Sequence, residues 1–241
     1  MIQAMTEQNP PRRKAPRKSR AVLLLAATLL VFLAAGLLVL RLRGALPGGD
    51  DAFQVPEQII VCLDAGHGGT DAGAVNGDRL EKNDNLRMAL AVRDKLESAG
   101  SERLTVLLTR ADDAALELQQ RVDLANENGA TLFVSLHRNS GGGKGVEVWT
   151  SSLKEKAECR LAQYIMDALE QAGVQKVRGV KHGTAGNPAV SYTVVGRTEM
   201  PACLVELGFI DNDEDNALLD SHWDAYAQAI ADGILRMVEL K

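Results

Sequence analysis

The chain has 241 residues, 46% of them hydrophobic and 24% charged, which excludes a disordered chain and leaves room for one domain and an appendage. Its charge is unevenly divided: residues 1–43 carry eight Lys or Arg against Glu7 alone, and the remainder carries 19 basic and 31 acidic residues, so the appendage is +7 and the rest −12. So acidic a domain repels polyphosphate, which argues against a nucleic-acid partner and means that any hold on an anionic polymer must come from specific contacts.

Residues 21–40, AVLLLAATLLVFLAAGLLVL, are twenty consecutive residues without a charge, long enough as a helix to span the hydrocarbon core of a bilayer. Arg12, Arg13, Lys14, Arg17, Lys18 and Arg20 precede the stretch and only Arg41 and Arg43 follow it. The positive-inside bias then keeps the N-terminus in the cytoplasm and everything after residue 43 outside. The rival reading is a cleaved signal peptide, whose apolar stretch is usually shorter and ends at a small-residue site. The expected organisation is a basic tail at 1–20, an anchor at 21–40, a Gly-, Pro- and acid-rich linker at 41–57 and a folded domain over 58–241.

Within the domain, the run from Ile59 to Leu63 is rich in β-branched residues and enters the loop Asp64-Ala65-Gly66-His67-Gly68-Gly69, the pattern of a buried strand ending in a tight turn. Leu86, Ala89, Val92, Leu96 and Ala99 recur at three- and four-residue steps and predict a helix over 80–100, with Glu81 in its first turn and Gly100 closing it. The pattern then predicts a strand at 104–109, a helix at about 116–128, strands at 131–137 and 145–150, and a helix at 154–172. An irregular stretch over 173–200 leads to a strand at 202–206 and a last helix striped by Trp223, Tyr226, Ile230, Ile234 and Met237, with Ser221 and Asp224 as its capping box. Such alternation predicts an α/β domain of three layers, a mainly parallel, mixed sheet covered by helices on both faces. Cys62, Cys159 and Cys203 are odd in number and widely spaced, unlike a disulfide framework or paired zinc ligands. They are expected to be buried thiols.

Two of the four histidines, His67 and His137, fall just past or at the ends of predicted strands. Either one alone is as compatible with a hydrogen-bonded structural role as with ligation, and Glu81 alone reads as a helix-start carboxylate favoured by the helix dipole. Glu206 is different, because it sits within Ala-Cys-Leu-Val-Glu-Leu-Gly-Phe. A carboxylate so surrounded is costly unless it is paired, metal-linked or catalytic. If His67, Glu81 and His137 meet, they form the two-imidazole, one-carboxylate set of catalytic zinc sites, which leaves a position open.

The motifs Asp64-Ala65-Gly66-His67-Gly68-Gly69-Thr70-Asp71-Ala72-Gly73-Ala74, Glu81-Lys82, Leu108-Thr109-Arg110, Arg121 with Ala125-Asn126, Phe133-Val134-Ser135-Leu136-His137-Arg138-Asn139, Gly145-Val146-Glu147-Val148 and the run from Pro201 to Asn212 stand in one order. By them the sequence resembles the zinc-dependent N-acetylmuramoyl-L-alanine amidases called type 3 amidases, over about residues 58–240. Ala65 and Leu136 depart from the proline and isoleucine common in that family, and neither is a ligand position.

The resemblance implies one Zn2+ bound by His67, Glu81 and His137, with Glu206 as the catalytic glutamate. It implies a peptidoglycan substrate, cut at the amide between N-acetylmuramic acid and the L-alanine of the peptide stem. Zinc would polarise the carbonyl and Glu206 would move the proton of the attacking water. Asp64 is a candidate to orient His67, against a role capping the turn after the strand. Asn139 is a candidate substrate contact, against a role holding the turn at 140–144, and His182 is a second. His222 reads as a helix-start surface residue. Because only 140–144 separate Asn139 from Gly145, no inserted autoinhibitory helix of the kind carried by some division amidases is expected. Two other functions share these residues: a peptidoglycan-binding scaffold without turnover, and a zinc peptidase acting within the stem, which needs a different groove around Tyr192 to Thr198.

Overall fold

The computed structural model describes residues 53–240 apart from residue 174. The tail and span expected at 1–40, and most of the linker, lie outside the described residues. Among the described residues no helix is long and apolar enough to cross a membrane.

Within the described residues, eight strands and six helices follow in the order β1 (Ile59–Ala65), β2 (Val75–Asn76), β3 (Arg79–Leu80), α1 (Glu81–Ser98), β4 (Leu104–Leu108), α2 (Leu118–Glu127), β5 (Leu132–Asn139), β6 (Val146–Thr150), α3 (Lys156–Ala172), β7 (Val177–His182), α4 (Thr193–Gly196), β8 (Ala202–Phe209), α5 (Asp213–Ser221) and α6 (Trp223–Met237). Six strands form one sheet in the order β4-β1-β5-β8-β6-β7, and β2 and β3 form a separate hairpin. β4, β1, β5 and β8 run parallel to one another. β6 lies antiparallel to β8 and parallel to β7, so the sheet is mainly parallel and mixed. The last long strand in the chain, β8, therefore lies in the interior of the sheet.

Period-two alternation sorts the strand residues between two faces. On one face Val61, Leu63, Leu132, Val134, Leu136, Val205, Leu207 and Val148 pack with Met88, Val92, Leu96, Leu161, Ile165, Ile230 and Ile234 in a single core, which seats α1, α3 and α6. On the other face Cys62, Phe133, Trp149, Ala202 and Leu204 pack with Ala125, Val194 and Val195, so α2 and the short α4 form a thinner cover there. The second helical layer is incomplete where strand residues closer to Asn139 and Phe209 emerge.

Four sequence expectations are corrected. β5 and β8 run on to Asn139 and Phe209, which places His137 and Glu206 within their strands rather than at the last residue. The stretch expected to be irregular holds β7 and α4. Ser221 does not cap α6: it ends α5, its hydroxyl donating back to the carbonyl of Ala217 at 2.7 Å, and α6 begins after His222 with no side-chain cap. Cys62 and Cys203 are buried thiols, but Cys159 on α3 is only half-buried. Gly100 closes α1 as expected, at φ +68°.

Candidate metal centre and catalytic carboxylate

The loop leaving β1 carries His67 with φ +61°, a left-handed backbone that costs a non-glycine residue roughly 1–2 kcal/mol. Two buried guanidiniums hold it there. Arg121 of α2 donates Nη1 to Asp64 Oδ1 and to the carbonyl of Ala65, and Nη2 to the carbonyl of His67, each at 2.7 Å. Arg110 donates to the carbonyls of Ala65 and Gly66 and, from the same Nη2, to that of Lys82 at the start of α1. Three successive loop carbonyls are thus fixed to the sheet and to the helix that bears Glu81.

Within this frame His67, Glu81 and His137 converge, with one possible ligand atom from each lying within 4.8 Å of the others. Glu81 Oε1 lies 2.9 Å from His137 Nδ1 and 3.2 Å from His67 Nε2, and accepts from the backbone N–H of Arg138 at 3.0 Å. Its Oε2 accepts from the N–H of Ala74 at 2.8 Å. Glycine makes this crowding feasible. A Cβ on Gly66 would meet the His137 ring at 2.2 Å, and one on Gly73 would meet Glu81 Oε2 and His67 Cδ2 at 2.6 Å.

Charge follows from the contacts. Burial works against a proton on His67, but hydrogen bonds to Glu81 and Asp71 outweigh it and push its pKa up to about 9. Burial would raise Glu81, yet His137 and His67 hold it well below the usual carboxylate range. The site therefore concentrates negative charge toward two nitrogens, a donor set that suits Zn2+.

Glu206 stands beside this cluster. In the β5–β8 ladder it is the register partner of His137, and in the antiparallel β6–β8 ladder it is the partner of Glu147. Its Oε2 is buried with no hydrogen-bond partner, an orphaned acceptor of the kind native proteins keep at functional positions. Burial pushes Glu206 up to about 7, opposed by His137 and reinforced by the charges of Glu81 and Glu147. A carboxyl poised there can exchange protons near neutrality. A cavity of about 170 Å³, lined by His67, His137, Leu116, Leu118 and Val194 among others, opens next to the cluster on the α2 side.

The remaining candidates sit as follows. Asp64 is fully buried and bonds Thr109, Ser135 and Arg121; it does not touch the His67 ring. Asp71 holds that ring instead, its Oδ2 lying 2.7 Å from Nδ1. Asn139 accepts from the N–H of Ser140 and donates to Glu147 Oε2, so it both holds the turn and braces a second buried carboxylate. His182 ends β7 beside Thr150, to whose hydroxyl its Nδ1 is bonded at 2.7 Å. Because β6 runs antiparallel to β8, that position is three residues away from Glu147 and toward the opposite end of the sheet from the cluster.

Sequence reasoning passed over Asp71 and Glu147. Glu147 had the signal already used for Glu206, a carboxylate inside an apolar strand, and it is 4% exposed. Asp71 lies four residues from His67 in a loop whose course no periodicity reveals.

Comparison with known proteins agrees with the geometry. Residues 61–236 match the family described as N-acetylmuramoyl-L-alanine amidase. The chain is similar to the uncharacterised protein YqiI of Bacillus subtilis, 38% identical over 182 residues that cover 74% of this chain and 82% of that protein. It is also similar to the N-acetylmuramoyl-L-alanine amidase CwlM of Bacillus licheniformis, 35% identical over 175 residues, 73% of this chain and 65% of that one. Among solved structures, the catalytic domain of the amidase CwlV from Bacillus (Paenibacillus) polymyxa var. colistinus superposes with a TM-score of 0.68 at 36% identity, covering 76% of this chain and all of that domain. Family match, fold and the meeting of His67, Glu81 and His137 agree, and the chain belongs to the type 3 N-acetylmuramoyl-L-alanine amidases.

Proposed function

We propose that this chain hydrolyses the amide between N-acetylmuramic acid and L-alanine in peptidoglycan, using one zinc ion held by His67, Glu81 and His137 and with Glu206 as the general base. The observation that carries the reading is the orphaned Oε2 of Glu206 on the strand position next to His137.

The residues fit the ion. Two imidazole nitrogens and Glu81 Oε1 already converge, while the N–H groups of Ala74 and Arg138 fix the Glu81 carboxylate in place. When bound at such a site, zinc acts as a Lewis acid toward a carbonyl and lowers the pKa of water to roughly 7. Asp71 holds Nδ1 of His67, so that Nε2 is the nitrogen offered to the metal. Glu206 takes the proton of the attacking water on its free oxygen and delivers it to the departing alanine nitrogen, which then leaves as an amine rather than as an amide anion. The half-open face of the sheet gives a polymer access, and the loop clamped by Arg110 and Arg121 keeps the ligands in place before substrate arrives.

The helix expected at 21–40 would hold the enzyme on the outer side of a bacterial cytoplasmic membrane, with the linker limiting its reach. The test is incubation of the zinc-loaded chain with purified peptidoglycan beside Glu206→Ala, with mass spectrometry of the products. Intact stem peptides bearing a free N-terminal L-alanine support the amidase. Fragments cut within the stem mark a peptidase, and wall binding without products marks a scaffold.

A further inference from the structure

The row of side chains that contains His137 and Glu206 continues across the sheet. Glu147 on β6 is the antiparallel partner of Glu206, so both point to the same face. Its Oε1 accepts from Arg178 Nε at 2.5 Å, and its Oε2 accepts from Asn139 Nδ2 and Trp149 Nε1 at 3.1 Å each. Three donors from β5, β6 and β7 therefore satisfy one buried carboxylate, and the arrangement fixes Arg178 at the rim of the site.

Arg178 is set differently from the other cations that border the site. Arg121 and Arg138 are buried and fully engaged, Lys82 is held between the carbonyl of Gly69 and Asp113, and Lys144 is paired with Glu214. The Arg178 side chain is 35% exposed, and its guanidinium lies 5.3 Å from the Phe209 ring centroid. Nη1 reaches the Lys144 carbonyl at 3.3 Å, and Nη2 has no acceptor among the described residues. A guanidinium anchored through Nε, with Nη2 left to donate, can form a charge-assisted hydrogen bond to a carboxylate.

We infer that Arg178, braced by Glu147 and lying near the face of Phe209, forms a subsite for a carboxylate of the peptide stem, and so sets the stem toward β7 and the glycan toward α2. The inference rests on the amidase reading. Asp71, Glu81, Glu147 and Glu206 make the surroundings acidic, so a stem carrying carboxylates needs a compensating cation on its path. β8 and β7 are two strand spacings apart, about 10 Å. An extended peptide advances about 3.3–3.6 Å per residue, which places the recognised carboxylate within about three residues of the scissile amide.

The test uses the full zinc-loaded chain and soluble muramoyl-peptide fragments whose stem carboxylates are free or are converted one at a time to amides. For the wild type, amidation of one particular carboxylate should raise KM by about 10- to 100-fold, the scale of a charge-assisted hydrogen bond. Arg178→Gln should show the same raised KM on the free-acid substrate, with kcat and zinc content little changed, and no further loss on the amidated one. Arg178→Lys, which keeps a cation beside Glu147, should lie between. Which amidation matters identifies a side-chain or a terminal carboxylate as the ligand. Equal losses on acid and amide substrates would show that Arg178 acts only by bracing Glu147 and would overturn the subsite, as would unchanged KM in both variants. A wild type that cleaves neither substrate instead overturns the amidase reading itself.

Discussion

Asp71 and His67 are joined at 2.7 Å, carboxylate to Nδ1, across one loop turn. That bond selects which imidazole nitrogen faces Glu81, and the partners of metal-ligating histidines typically contribute 10- to 100-fold in affinity. Asp71→Asn should therefore bind zinc about 10- to 100-fold more weakly, as read by competition with a chromogenic chelator. Unchanged affinity would show that the frame of Arg110 and Arg121 orients the ring by itself.

Glu206 gives two expectations. Glu206→Gln should retain zinc and lose about 10²- to 10⁴-fold in turnover, the usual contribution of a positioned acid–base group. In the wild type, activity should rise with pH as the carboxyl loses its proton. The midpoint should fall at or below about 7, because burial raises the group to about 7 and a bound cation would pull it down. A pH–rate profile whose acid limb lies well above 7 would assign that limb to another group.

Gly66 tests the packing of the centre. Its absent side chain leaves room for the His137 ring, which a Cβ would meet at 2.2 Å. Gly66→Ala should displace that ring and reduce metal content at equilibrium, measured by metal analysis after dialysis. Gly186→Ala is the control: like Gly66 it is not at positive φ, and nothing lies near the added atom.

The Asp64–Arg121 pair should stabilise the fold in a pH-dependent way. Burial works against the Asp64 charge, but Arg121 and the Ser135 hydrogen bond outweigh it and hold the carboxyl below its ordinary value. A depressed folded pKa stabilises the native state above the unfolded value of about 3.9, and that stabilisation is lost as pH falls through the folded pKa. Asp64→Asn leaves a buried arginine unpaired and should cost about 3–5 kcal/mol at pH 7. Urea unfolding should show the gap between wild type and variant closing below about pH 4.

Much of this arrangement was legible in the sequence because the buried strands are continuous apolar runs. Ile59 to Leu63, Phe133 to Leu136 with only Ser135 interrupting it, and Ala202 to Val205 mark the parallel core. β7 was missed because Val-Arg-Gly-Val-Lys-His sets charges and a glycine among its apolar residues, as an edge strand with an exposed side allows. α5 was missed because Asp213-Glu214-Asp215-Asn216 resembles a loop; its start is set by Asn212, whose Oδ1 accepts from the N–H of Asp215. His67, His137 and Glu206 stand out by residue type and strand position, Glu81 enters with them only through the family resemblance, and the structure brings His67, Glu81 and His137 together. The bracing of Glu147 by Arg178 was not legible, since it depends on the reversal of β6, which composition does not announce.

The late arrival of β8 in the interior of the sheet bears on when the enzyme can act. It is made after β5 and β6, yet it lies between them and supplies Glu206. Until it docks, those two strands present open edges, the hazard that makes such nonlocal pairing slow and prone to aggregation during synthesis. A nascent or truncated chain ending before residue 202 holds all three candidate ligands and lacks Glu206, the proposed general base. On the proposed reading, the order of the strands withholds cleavage until residues 202–209 join a site whose three candidate ligands are already made.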